Sequence, residues 1–165
     1  KRVYGIAGGE ECVFEHNDIE FGYRHNSLPN NLIITSAILA HEHELILENT
    51  LLEARMQEYR IRRKRTQPST ASAGSFFKNP EKAFAAQLIE NCNIKGLQYG
   101  GAQISSLHAN FIVNNGGATA NDILHIASIA QSAVFDRFGI LLVPEIRMVG
   151  DFNGMPPLCA DRFFS

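Results

Sequence analysis

The chain has 165 residues, of which 45% are hydrophobic and 19% charged, a composition typical of a soluble globular protein and not of a disordered one. Its 15 basic and 17 acidic residues give a formal net charge of −2, which excludes a global basic field for nucleic acid but leaves a local patch open. No apolar run approaches the roughly 18–20 residues that span a bilayer, so we expect no transmembrane helix and no membrane partner.

The first residues of the chain and its three cysteines give two expectations. The chain opens on KRVYGIAGGEEC, with neither Met nor a signal-peptide core, and we expect such a start in a fragment. Cys12, Cys92 and Cys159 are far apart and form no CxxC motif. We therefore expect reduced thiols in a cytoplasmic protein, with no disulfide framework and no metal site built on cysteine.

The N-terminal part of the chain predicts strands, and a long helix follows them. Residues 3–7 and 11–16 are β-like runs separated by the Gly8-Gly9 turn, and residues 32–39 predict a further strand. A helical pattern then runs from residue 42 to about residue 63, and Pro68 forbids its continuation. The apolar stripe of this helix consists of Leu45, Leu52, Met56 and Tyr59.

Two charged segments flank this helix. The HEHE segment at 41–44 offers two histidines on one side, but no third metal ligand is near, so a solvated helix start is favoured over a metal site. The basic cluster RIRRKR at 60–65 has three interpretations. It is a solvated helix end favoured by the helix dipole, a nucleic-acid patch, or a group that holds a phosphate-bearing ligand.

The stretch TQPSTASAGSFFKN at 66–79 predicts a loop, and a loop of this length in a compact domain usually carries function. Local physics alone favours a structural interpretation, with Ser75 as a turn former and Phe76 and Phe77 in the core. No GxGxxG, GxxxxGK[ST] or GxSxG motif occurs, so the chain has no Rossmann fingerprint, P-loop or α/β-hydrolase elbow.

Helices and strands alternate along the rest of the chain. Asn79-Pro80 is a helix-start signal, with Asn as the cap and Pro at the first helical position, and this helix ends near Asn93. Residues 111–113 predict a strand. Thr119 caps a second helix, with Asp122 in a capping-box position, and Gly139 ends it.

A final strand over residues 140–149, interrupted by Pro144, completes the predicted elements, and residues 151–165 predict a weakly ordered tail. The alternation of strands and helices predicts an α/β (α+β) fold in which helices cover one sheet.

An ordered series of motifs resembles one known family. The shared motifs are FGYR at 21–24, RRKRTQP at 62–68, SAGSFFKNP at 72–80, LIE at 88–90, KGLQYGGAQIS at 95–105, HANFIVN at 108–114, GATANDIL at 117–124 and FGILLVPEIRMVG at 138–150. Together they resemble the C-terminal half of the UDP-N-acetylenolpyruvoylglucosamine reductases, in the shorter class that lacks an inserted tyrosine-bearing loop. The resemblance covers roughly residues 11–150.

This resemblance implies a bacterial cytoplasmic flavoenzyme of peptidoglycan and cell-wall synthesis. The family reduces UDP-N-acetylglucosamine enolpyruvate to UDP-N-acetylmuramate with FAD as the cofactor and NADPH as the co-substrate, as a monomer. The implied domains are the end of the FAD-binding domain at 1–41, the substrate-binding domain at 42–150 and the tail at 151–165. The family's glycine-rich flavin loop has no match here, so we expect FAD to be held largely by an N-terminal region outside this chain.

The resemblance also implies site residues. Arg24 of the GYR motif and Glu145 of the PE motif match residues that stabilise the enol-like intermediate, and Ser75 of the SAGS motif matches the proton donor. The positions that match substrate-binding residues are Lys78, Asn79 and His108.

Two interpretations from other classes stay open. The first is a non-catalytic nucleotide-sugar binding module built from the substrate-binding domain. The second is an interaction protein that uses the basic cluster at 60–65.

Overall fold

The computed structural model describes residues 1–40 and 49–150. The chain divides into two compact units between Leu52 and Glu53. The HEHE segment, the predicted domain boundary between residues 41 and 42 and the predicted tail all lie outside the described residues.

The first unit is a small antiparallel β structure. Strands β1 and β2 pair through the Gly8-Gly9 turn, where both glycines take positive φ angles of 61° and 88°. Strand β5 pairs with the other edge of β1, so the three predicted strands are confirmed. Along the chain, a short hairpin of β3 and β4 comes between β2 and β5. The strands of this unit are β1 (Arg2–Ala7), β2 (Glu10–Glu15), β3 (Phe21–Gly22), β4 (His25–Asn26) and β5 (Ile33–Ile38).

The second unit is built on a four-stranded antiparallel sheet with the strand order β6-β9-β8-β7. Helix α3 packs against β7, β8, β9 and α2, which confirms a mixed fold of helices on an antiparallel sheet. The elements from the helix that enters this unit onward are α1 (Asn49–Thr66), β6 (Ser72–Ser75), α2 (Ala85–Asn91), β7 (Gln98–Tyr99), β8 (Ala102–Ile104), β9 (Phe111–Asn114) and α3 (Ala120–Phe138). The largest fully buried side chains of its core are Phe76, Phe77, Ile89, Ile104, Ile126, Val134 and Leu142.

Helix α3 has the ends that the sequence predicts. The Thr119 hydroxyl accepts a hydrogen bond from the Asp122 backbone at 3.1 Å, and the Asp122 carboxylate accepts one from the Thr119 backbone at 3.0 Å. The bond from the Thr119 backbone to this carboxylate is the largest cause that lowers the pKa of the Asp122 carboxyl. Gly139 ends the helix in the left-handed conformation, with φ of 65°.

Three sequence predictions are wrong in this unit. Residues 66–79 are not one loop, because Ser72–Ser75 forms β6 and pairs with β9. Helix α2 does not begin at Pro80. A turn closes there, with the Ala83 backbone donating to the Pro80 carbonyl, and the Asn79 side chain accepts a hydrogen bond from the backbone of Ala85 at 3.0 Å.

The third wrong prediction is the strand over residues 140–149, which is reduced to one antiparallel bridge between Pro144 and Phe77. Proline has no backbone N–H, so it cannot extend a ladder of hydrogen bonds.

Helix α1 reaches Thr66, close to its predicted end, and residues 50–66 are all exposed. The predicted apolar stripe of Leu52, Met56 and Tyr59 is therefore not buried within the described part of the chain.

The cap of α3 gives a stability prediction. We expect Thr119→Ala to lower the free energy of unfolding by about 1 kcal/mol, because the Asp122 backbone N–H loses its acceptor. Chemical denaturation followed by far-UV circular dichroism measures the change. The matched control is Thr70→Ala at an exposed position, which is expected to shift stability by less than about 0.5 kcal/mol. Equal losses in the two variants would contradict the capping role.

Candidate active site

Ser75 and Glu145 flank one short stretch of paired backbone. Ser75 is the last residue of β6 and pairs with Phe111 of β9. The next residue, Phe76, accepts a hydrogen bond at its carbonyl from the Glu145 backbone at 2.8 Å, and the Lys78 backbone donates to the Val143 carbonyl at 2.8 Å. The structure therefore brings the backbones of the half-buried Ser75 and Glu145 close together, one residue apart across this ladder.

A buried asparagine that the sequence analysis missed lies at the centre of this arrangement. Asn110 is 4% exposed, and its side-chain oxygen accepts from the Phe77 backbone at 2.9 Å while its amide nitrogen donates to the Phe77 carbonyl at 2.8 Å. The carbonyl of Asn110 also accepts from the Phe76 backbone at 2.8 Å. The signal in the sequence was an amide inside the apolar run ANFIV, because a polar side chain buried there must find partners.

His108 lies in the turn that leads into β9. Its Nδ1 accepts a hydrogen bond from the Asn110 backbone at 3.3 Å, and its ring packs edge-on against Phe111 with the centroids 4.8 Å apart. Burial lowers the pKa of this imidazole. With Nδ1 as the acceptor, the neutral ring carries its proton on Nε2, so His108 is a hydrogen-bond donor to any ligand at this end of the sheet.

Residues 76–78, which we call the clamped segment, end at Lys78, and Asn79 follows directly. Lys78 is half-buried, and its backbone is fixed by the bond to Val143. Asn79 is exposed, yet its side-chain oxygen is used within the protein, as the acceptor for the Ala85 N–H at the start of α2. That bond gives Asn79 a structural role, in addition to the substrate contact that the resemblance implies.

Arg24 lies in the first unit, on the turn between β3 and β4. Its φ is 57°, in the left-handed region that a long side chain rarely adopts. Its guanidinium carbon lies 5.6 Å from the centroid of the Tyr23 ring. Positive φ angles of this kind occur in tight turns, where the chain reverses direction between two paired strands.

A cavity of about 620 Å³ lies between the C-terminal half of α1 and strand β6. Ser72 and Gly74 of β6 line this cavity, and Ser75 is the next residue of the strand after Gly74. Three cations of the basic cluster line the opposite side, and they make it suitable for an anionic group. These cations are Arg60, Arg63 and Lys64.

The described residues add two limits to this picture. No group of three or more His, Cys, Asp or Glu side chains in residues 1–40 and 49–150 is placed to hold a metal ion. No helix within the same ranges is long and apolar enough to cross a membrane.

The comparison with known families is decisive. The family model described as "UDP-N-acetylenolpyruvoylglucosamine reductase, C-terminal domain" matches residues 67–149, half of the chain. The chain belongs to this family. The matched residues contain Ser75, His108, Asn110 and Glu145, so every residue around the clamped backbone lies in the part that the family shares.

Relatives with the same name extend the similarity beyond the matched domain. The reductase of Geotalea uraniireducens is 40% identical over 146 residues, which are 88% of this chain and 48% of that protein. The reductase of Prochlorococcus marinus is 44% identical over 138 residues, 82% of this chain and 46% of that protein. The crystal structure of the reductase from Thermus caldophilus superimposes with a TM-score of 0.74 at 34% identity and covers 88% of this chain and 51% of its own. The chain thus spans about half the length of these relatives.

The buried imidazole gives a pH prediction. We expect an NMR titration to place the midpoint of His108 below the ordinary histidine value of about 6.5, since burial favours the neutral ring. A depressed pKa means that the unfolded chain binds more protons, so His108 contributes stability above the unfolded pKa that is lost as pH falls below it. His108→Gln is expected to lessen that loss. A midpoint at or above the ordinary value would contradict the buried neutral ring.

Proposed function

We propose that this chain supplies the substrate-binding and proton-donating part of a reductase that converts UDP-N-acetylglucosamine enolpyruvate into UDP-N-acetylmuramate. The observation that carries the proposal is the register of the backbone, which brings Ser75 within one residue of the hydrogen bond between Phe76 and Glu145. Membership of the reductase family supports the reaction class. The same proposal includes FAD, NADPH as the co-substrate, a monomeric enzyme and a place in the bacterial cytoplasm.

The chemistry divides among three side chains of this chain. Hydride addition at C3 of the enolpyruvyl group pushes the double-bond electrons toward the carboxylate as an enolate, and a bound reduced flavin supplies that hydride. Arg24 stabilises the enolate, because a guanidinium stays charged and offers a planar fork to a carboxylate. Glu145 is assigned a second stabilising contact to the same group. The Ser75 hydroxyl then gives its proton to C2 and completes the saturated product.

A serine is a weak acid in water and needs support from a nearby positive charge. The helix N-terminus that the sequence predicted at Pro80 does not supply it, because α2 begins only at Ala85. Lys78 remains, three residues beyond Ser75 on the same clamped segment. We assign to Lys78 the stabilisation of the serine oxygen as its proton leaves, alongside contact with the substrate. Asn79 and His108 are assigned substrate contacts.

The residues around Ser75 leave room for a flavin ring. Gly74 has a φ of 83°, lines the cavity beside β6, and has no heavy atom within 4 Å of the position that a Cβ would take. This open backbone face next to Ser75 fits the approach of a flat ring. The sequence has no GxGxxG loop for a pyrophosphate, so this chain contributes to the reacting end of FAD and little else.

The basic cavity suits the phosphate groups of the nucleotide sugar. It also supports the second candidate function, a non-catalytic module that binds a nucleotide sugar, because cations beside a cavity can hold phosphates without any catalysis. Coupled oxidation of NADPH separates the two functions, since a binding module shows none.

Ser75→Ala tests the catalytic proposal in the complete enzyme, meaning this chain joined to the N-terminal half of the Geotalea uraniireducens relative, which the proposal makes the flavin-binding half. Reduction of the flavin by NADPH needs no proton donor at C2, so we expect its rate to stay within twofold. Reoxidation by the enolpyruvyl substrate is expected to slow by about 10²–10⁴-fold, the scale of a lost general acid. Stopped-flow absorbance of the flavin measures each half-reaction.

Two further variants sharpen this test. Ser75→Cys is expected to keep part of the reoxidation rate, because a thiol still carries a proton. Ser106→Ala, at an exposed serine, is the matched control and is expected to change neither half-reaction. Equal slowing of both halves by Ser75→Ala would make Ser75 a structural turn residue.

Substitution in the cavity tests where the phosphates bind. We expect Lys64→Gln to raise the KM for the enolpyruvyl substrate by about 10-fold or more, because a charge-assisted hydrogen bond contributes about 1.5–3 kcal/mol. Arg62→Gln is the matched control, since Arg62 belongs to the same helix but does not line this cavity. Steady-state kinetics measures both variants. The same KM in both would show that the cluster acts only as a solvated helix end.

A further inference from the structure

The buried side-chain amide of Asn110 supplies the two hydrogen bonds that Phe77 would otherwise receive from a neighbouring strand. Strand β6 pairs with β9 at Ser75 and Phe111, but the chain before Phe111 turns away, with the Phe111 backbone donating to the His108 carbonyl at 3.0 Å. No backbone of β9 is therefore left to pair with Phe77. The Asn110 side chain bonds both the N–H and the carbonyl of Phe77, as a neighbouring strand would.

The other edge of the same segment carries the second proposed functional residue. The Phe76 carbonyl accepts from the Glu145 backbone, and the Lys78 N–H donates to Val143, on either side of the bridge between Phe77 and Pro144. The position of the Phe77 backbone therefore determines where the hydrogen bonds on both edges of this segment form. A displacement of Phe77 would move the segment that carries Ser75 and Lys78 relative to Glu145.

The aromatic rings packed around Phe77 explain why its backbone N–H and carbonyl depend on the Asn110 side chain. Phe76 and Phe77 are each 2% exposed, and their rings meet edge-to-face with the centroids 4.9 Å apart. Backbone groups buried beside such rings have no access to water, so an unsatisfied N–H or carbonyl there is costly. The side chain of Asn110 is the partner that both groups have.

We propose that Asn110 is a positioning residue for the proton-transfer step, which holds the Ser75 hydroxyl at its working distance from the substrate carbon and from Glu145. This role rests on the proposed function. Asn110 acts through the Phe77 backbone, because the oxygen and the nitrogen of its side-chain amide are both bonded there. Its effect therefore falls on the half-reaction that uses Ser75, because small displacements of a positioned group reduce rates steeply.

Asn110→Asp is the sharpest variant, because it keeps the shape of the side chain. An ionised carboxylate still accepts from the Phe77 N–H, but it cannot donate to the Phe77 carbonyl and repels it. In the complete enzyme, we expect reoxidation of the flavin by the enolpyruvyl substrate to slow by about 10–100-fold. Reduction of the flavin by NADPH is expected to stay within twofold.

A general loss of stability is separated from the positioning role by a matched control. Val134→Ala removes volume from the same core at a fully buried position of α3, and it leaves the hydrogen bonds of segment 76–78 intact. We expect it to lower the melting temperature at least as much as Asn110→Asp while changing reoxidation less than threefold. Equal slowing of reoxidation by both variants would overturn the proposal, and so would a slowing of both half-reactions by Asn110→Asp.

The double variant shows whether Asn110 acts through Ser75. If it does, Ser75→Ala combined with Asn110→Asp reoxidises no more slowly than Ser75→Ala alone, within twofold, because the positioned proton is already lost. Multiplied losses would overturn the proposal. Where Asn110→Asp yields too little folded enzyme, Asn110→Gln replaces it, since the longer side chain keeps both bonding groups but displaces Phe77, and the same split is expected.

The outcomes also separate this inference from the proposed function. If the complete enzyme does not reduce the enolpyruvyl substrate, or Ser75→Ala leaves reoxidation unchanged, the proposed function fails and the positioning role fails with it. If Ser75→Ala uncouples the half-reactions but Asn110→Asp leaves reoxidation unchanged, only the positioning role fails.

Discussion

The buried backbone of residues 76–78 needs hydrogen-bond partners on both of its edges, and the residues of the candidate site lie around it. One side is satisfied by the Asn110 amide and the other by the chain on either side of Pro144. Because the flanking Phe76 and Phe77 rings fill the core, the polar residues next to them are held at its surface by the same contacts. Stability and the geometry of Ser75 and Glu145 thus depend on one short segment.

A second buried amide connects this segment to the long helix. The Gln131 side chain of α3 donates to the Leu142 carbonyl at 2.7 Å, three residues before Glu145. The cap at Thr119 fixes where α3 begins, and the helix in turn fixes where Gln131 meets the chain. Residues 142–145 make only one bridge to the sheet, so a side-chain amide from the helix supplies part of the hydrogen bonding that a full strand would receive from its neighbours.

The sequence predicted what local chemistry decides and missed what distant partners decide. The cap at Thr119, the left-handed end at Gly139 and the turn at Gly8-Gly9 depend on a few neighbouring residues, and all three are confirmed. Strand β6 has small residues with little β preference and exists because β9 lies beside it. The start of α2 was misplaced because the Asn79 oxygen reaches the Ala85 N–H, not the first turn after Pro80. Family resemblance supplied Ser75 and Glu145, but only the structure supplied Asn110.

The basic cluster at 60–65 shows how one run of charge serves two purposes. Residues three or four apart lie on one face of a helix, so positions 60, 63 and 64 share one side of α1 and positions 62 and 65 share another. Arg60, Arg63 and Lys64 line the cavity beside β6, while Arg62 and Arg65 line a different hollow on the same helix. A solvated helix end and a phosphate-binding group are therefore compatible interpretations of the same six residues, each assigned to its own face.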